Sequence, residues 1–138
     1  MSDILDQPDS TSETTRNASR QTYQVPGAPA SYERISTAFS GAQLHSVIVH
    51  EPPGHRAEPI SHEGEEIIFM LSGPLTIEVD GHVEVLRQGN SLHFDSRRVH
   101  ALWNHIDTTA SILWCGTMDV FGGPTGPIHK DQSKVGAT

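Results

Sequence analysis

The chain has 138 residues, enough for one domain with a real core. Its net charge of −8, from 9 Lys and Arg against 17 Asp and Glu, argues against a nucleic-acid surface, which needs basic residues clustered on one face. The lone Cys115 excludes an internal disulfide, and no apolar run approaches the roughly 18 residues that cross a membrane.

Residues 1 to about 30 are rich in Ser, Thr, Asp, Gln and Pro, with little periodic apolar content. Chain entropy outweighs burial in such a stretch, so a flexible N-terminal arm is expected, with at most a weak helix between Thr11 and Arg20. The arm shows no basic start followed by an apolar run of signal-peptide length. A soluble cytoplasmic protein is therefore expected. Ser31 to Phe39, with Tyr32 and Ile35, reads as a first edge strand.

From Leu44 the pattern sharpens. Leu44 to His50 is a strand stopped by Glu51-Pro52-Pro53-Gly54. A polar loop leads into His62-Glu63-Gly64-Glu65-Glu66, which passes directly into the apolar run Ile67-Ile68-Phe69-Met70-Leu71. This reads as a site loop entering a buried strand that ends at Ser72-Gly73-Pro74. In a fully extended chain His62 and Glu66 would lie about 13 Å apart, at a rise of about 3.3 Å per residue. One ion can meet both only if the chain bends, and Gly64 permits a bend.

Leu75, Ile77 and Val79 alternate with Thr76 and Glu78, the pattern of a strand with one wet face. Asp80-Gly81 then forms a two-residue hairpin turn into Val83-Glu84-Val85. Gln88-Gly89-Asn90 turns the chain into Ser91 to Phe94, a loop delivers His100, and Ala101 to Trp103 and Ala110 to Gly116 give two further strands. Regular structure ends near Phe121, leaving residues 122 to 138 as a tail. Short strands at this spacing predict an all-β sandwich or barrel.

With these residues in place the chain resembles the cupin superfamily, whose members are double-stranded β-helix (jelly-roll) barrels. The first motif of that family runs Gly, His, His, Glu, Gly, and here Gly54, Ile60, His62, Glu66 and Gly73 fall on its spacing. Ile60 stands where the first His is expected. In the second motif Gly89, Asp95, Arg97, His100 and Asn104 fill the slots, Asp95 and Arg97 replacing a Pro and a Gly. The resemblance spans about residues 44 to 120 and places the barrel at 31 to 121, behind an arm of residues 1 to 30. Its wording is most similar to the cupin sensor domains that follow helix-turn-helix domains in bacterial regulators.

The resemblance implies that His62, Glu66 and His100 hold one divalent ion, Fe, Mn, Zn or Ni, inside the barrel. Two imidazoles and one carboxylate suffice as a facial triad that leaves coordination positions open. On the opposing reading the same three residues merely line a polar pocket, the fourth ligand having been lost to Ile60. Ile60, Ile68 and Met70 are expected to wall that pocket. His55 reads as a residue of an exposed loop rather than a replacement ligand, and Trp103 and Trp114 as core, interface or pocket mouth. Two functions follow: a small-molecule sensor or binding module for a small polar metabolite, or a metal-dependent oxygenase or isomerase acting on a small organic acid. The resemblance further implies a homodimer.

Overall fold

The computed structural model describes residues 13–24 and 29–121. Among the described residues a 3₁₀ turn at Asn17–Ser19 is followed by nine strands: β1 (Thr22–Gln24), β2 (Ser31–Arg34), β3 (His45–Glu51), β4 (Glu65–Ser72), β5 (Leu75–Val79), β6 (His82–Leu86), β7 (Ser91–Asp95), β8 (His100–Trp103) and β9 (Ala110–Gly116). They form two antiparallel sheets, ordered β1-β2-β3-β9-β4-β7 and β6-β5-β8, which face each other as a jelly roll. The loop before β4 extends the smaller sheet through bridges from Arg56 to Trp103 and from Ile60 to His100.

Period-2 alternation decides what enters the barrel. On β4 the inward set is Glu66, Ile68 and Met70, while Ile67 and Phe69 face out. Leu75, Ile77 and Val79 of β5 and Ala110, Ile112 and Trp114 of β9 complete the core. The hairpin forms as expected, with Asp80 and Gly81 both at positive φ and Val79 paired to His82.

Two elements differ from the sequence expectation. The arm contains β1, which pairs with β2 from Thr22↔Glu33 to Gln24↔Ser31, so β2 is an interior strand rather than an edge. Aromatic packing supplies what composition lacked: the Tyr23 ring lies 5.7 Å from Phe121, and Arg20 pairs with Glu33 at 3.1 Å. The buried strand read over the apolar run from Ile67 begins two residues earlier, at Glu65. Residues 1–12, 25–28 and the tail at 122–138 lie outside the described residues. Among the described residues no helix is long and apolar enough to cross a membrane.

Candidate metal centre

Three segments deliver the three side chains. His62 lies on the loop before β4, Glu66 is the second residue of β4, and His100 opens β8. Gly64 makes the first connection by adopting φ +105°, which folds the loop so that His62 and Glu66 face one another. The loop is then stitched to the turn after β7 by two backbone bonds, His62 N–H to Ser96 O at 3.0 Å and Ser96 N–H to Gly64 O at 2.9 Å. On the other side Ile60 and His100 exchange both backbone hydrogen bonds, at 2.9 and 2.8 Å. Such a pair projects its side chains to the same face, so Ile60 stands beside His100 where an imidazole would complete a four-ligand set.

The result is a cluster whose ligand atoms lie within 4.8 Å of one another. His62 Nε2 is 3.3 Å, and His100 Nε2 3.4 Å, from the same oxygen, Glu66 Oε2. Each ring is oriented through its other nitrogen. His100 Nδ1–H donates to the Arg98 carbonyl at 2.6 Å and His62 Nδ1–H to the Glu63 carbonyl at 3.1 Å. Both imidazoles therefore aim Nε2 at one carboxylate oxygen, and in the neutral ring that lone pair repels the oxygen unless a cation or a proton lies between.

Glu66 is buried, at 4% exposure, and is held at both ends. Ser96 Oγ–H donates to Oε2 at 2.7 Å, and Trp114 Nε1–H donates to Oε1 at 2.9 Å. Burial pushes its carboxyl up, but hydrogen bonds from His100, Ser96 and Trp114 outweigh burial and hold it below the ordinary carboxylate range. For His100, burial disfavours the cation, and the Glu66 carboxylate and the Arg98 carbonyl more than offset it, raising the imidazole. The site favours positive charge next to an anion. Donor types, orientation and burial all fit a divalent ion.

The cluster opens on a cavity of about 210 Å³. Ile60 and Ile68 line it, together with Val47, Val49, Phe94 and Ile112. Met70 is fully buried outside this lining, its methyl end beside Gly73, because two further residues along β4 carry it past the open space into the core. Phe94 packs edge-on against His100, ring centres 4.9 Å apart. Ser96 and Trp114 carry no motif signal, although Trp114 shares the inward parity of Ile112 on β9. Gly116 makes room for that tryptophan: a Cβ there would come within 2.6 Å of the indole ring. His55 is neither exposed nor part of the triad; it meets Glu51 at the far end of the cavity.

A family model described as "Cupin domain" matches residues 47–116. No curated protein matches the sequence. Among solved structures, an RmlC-like cupin from Shewanella frigidimarina superposes with a TM-score of 0.69 at 14% identity, covering 79% of this chain and 94% of its own. The Cupin_2 domain of an XRE family transcriptional regulator from Enterobacter cloacae gives 0.61 at 17% identity, covering 66% and 98%. A structure of FeII HppE gives 0.66 at 17% identity, covering 78% and 62%. At these identities the likeness is one of fold.

Proposed function

This chain belongs to the Cupin_2 family of cupin domains, and from that premise we propose that it binds a small organic ligand at a divalent metal held by His62, Glu66 and His100. The observation that carries this reading is the convergence of two imidazole Nε2 atoms on one oxygen of a buried carboxylate. Without a cation, the cluster must hold an extra proton to avoid that repulsion. With one, every donor is already aimed.

Three protein ligands leave positions open, and a bound metal supplies a Lewis acid that polarises an oxygen donor of the ligand. The chain's own residues do the rest. Ser96 and Trp114 keep Glu66 ionised and in place, and Phe94 fixes the His100 ring. Ile68 and Ile112, both buried, exclude water and pack against carbon, with the half-exposed Ile60 at the rim. Ile60, Ile68 and Phe94 beside the triad are apolar, which supports binding or sensing of a ligand with a carbon body. The sensor reading also fits the fold shared with the regulator's Cupin_2 domain. The alternative, a metal-dependent oxygenase or isomerase acting on a small organic acid, rests on the open positions of the triad and the fold shared with FeII HppE.

Elemental analysis of the chain against a His62→Ala/His100→Ala double variant tests the reading. The parent is expected to retain close to one metal per chain and the variant almost none. Equal content in both after metal supplementation would end the proposal, and turnover of a bound acid would move it to the enzyme class.

A further inference from the structure

One inward-facing position of β3 breaks the apolar pattern of the cavity wall. Val47, Val49 and Glu51 share strand parity, are all buried and all line the cavity. The two valines are what an apolar wall needs. Glu51 is a carboxylate at 4% exposure, costly in such a place unless something meets it.

Part of that partner is built into the chain. After β3, Pro52-Pro53-Gly54 turns back, with His55 N–H on the Pro52 carbonyl at 3.3 Å. The turn brings His55 Nδ1 to 2.5 Å from Glu51 Oε1. Asn104, fully buried, clamps the corner: its Nδ2 donates to the carbonyls of Glu51 and Pro52, at 2.9 and 3.1 Å, and its backbone N–H to that of His55 at 2.9 Å. Glu51 is thus held rigidly through Oε1. Its other oxygen, Oε2, has no hydrogen bond among the described residues, and Glu51 lines the cavity.

The strand register puts this acid far from the triad. Across β9, Glu51 pairs with Ala110 and Glu66 with Gly116. On the facing segment Asn104, which clamps the Glu51 corner, lies four residues beyond His100, a span of roughly 13 Å at about 3.3 Å per residue that a six-carbon acid with a terminal donor covers. Between the two ends the walls are Val49, Ile68, Ile112 and Leu102. A plain alkyl acid filling this space would strip water from Oε2 and offer nothing in return, which is unfavourable.

The geometry points to a two-ended site, whose occupant is a short-chain organic acid with its carboxylate at the metal end and a terminal hydroxyl or ammonium donating to Glu51 Oε2. This rests on the metal-site reading above and adds the far-end recognition, with Glu51 the contacting group and His55 and Asn104 positioning it.

Isothermal titration calorimetry of the full chain loaded with Zn(II) tests it, using hexanoate, its terminal-hydroxy derivative and its terminal-amino derivative. The donor-tailed acids are expected to bind about tenfold or more tightly than hexanoate. In Glu51→Ala that preference should shrink to within about twofold, with hexanoate binding as well as before or better. Glu51→Gln, which keeps the side-chain shape and an acceptor oxygen, should retain the advantage of the hydroxy acid and lose that of the amino acid. Equal affinities in the parent, no acid bound by metal-loaded protein, or a preference surviving Glu51→Ala would overturn this inference and leave the metal site standing. A chain that takes neither metal nor acid would overturn both.

Discussion

Glu66 has each oxygen engaged by a donor from a different strand or turn, and this division determines what each donor is for. Ser96 and the two imidazoles meet Oε2, whereas Trp114 alone meets Oε1. The indole therefore leaves a single oxygen facing the imidazoles and ties the other back. Trp114→Phe keeps an aromatic side chain in the core but removes the N–H together with part of the indole's volume. A donor lost from a buried anion costs about 1–3 kcal/mol. Partners that orient metal ligands typically change metal affinity by about 10- to 100-fold. Chelator competition should show a loss in that range for the variant, with the far-ultraviolet circular dichroism of the parent. An unchanged affinity would mean that the indole is only packing. The three clustered residues were legible because motif spacing is written in sequence. Their supports were not, because Ser96 and Trp114 reach Glu66 across 30 and 48 positions of chain.

At the scale of elements, the entry to β4 carries the bend that joins loop to strand. Gly64 at φ +105° lies where an L side chain is strained, and a Cβ there would sit 2.1 Å from Thr117 Oγ1. Gly64→Ala meets both problems, and the backbone part alone costs about 1–2 kcal/mol. The variant should show a lower denaturant midpoint and weaker metal retention, since His62 moves with the loop. Adding Thr117→Ala removes the clash but not the backbone strain, and it also surrenders the acceptor for Glu65 N–H. Partial recovery is the expected result; full recovery would place the whole effect in sterics. Elements announced by local chemistry were readable in advance, such as the Asp80-Gly81 turn, whose positive φ demands those residue types. Strand β1 was not. Its three residues carry no periodic signal, and it is held by Tyr23 against Phe121, nearly a hundred positions away.

For the molecule as a whole, the site links global stability to pH in a direction that metal should reverse. Folding raises His100 and lowers Glu66. The raised imidazole contributes stability that is full below its unfolded value of about 6.5 and fades as pH climbs through the higher folded value. The lowered carboxyl contributes stability that is present above its unfolded value of about 4.3 and fades as pH drops through the lower folded value. The metal-free chain should therefore draw most from this pair in the mildly acidic window between those two unfolded values, and its melting temperature should decline from about pH 6 to pH 8. A divalent ion held by His62, Glu66 and His100 would compete with the protons of the imidazoles, so its affinity should grow as they are lost, and it would stabilise only the folded state. Melts run with chelator and with Zn(II) across that range should diverge, the gap widening toward pH 8. Parallel curves would mean that the cluster holds a proton rather than an ion, and the barrel would then be a pocket lined by an ordinary acid–imidazole pair.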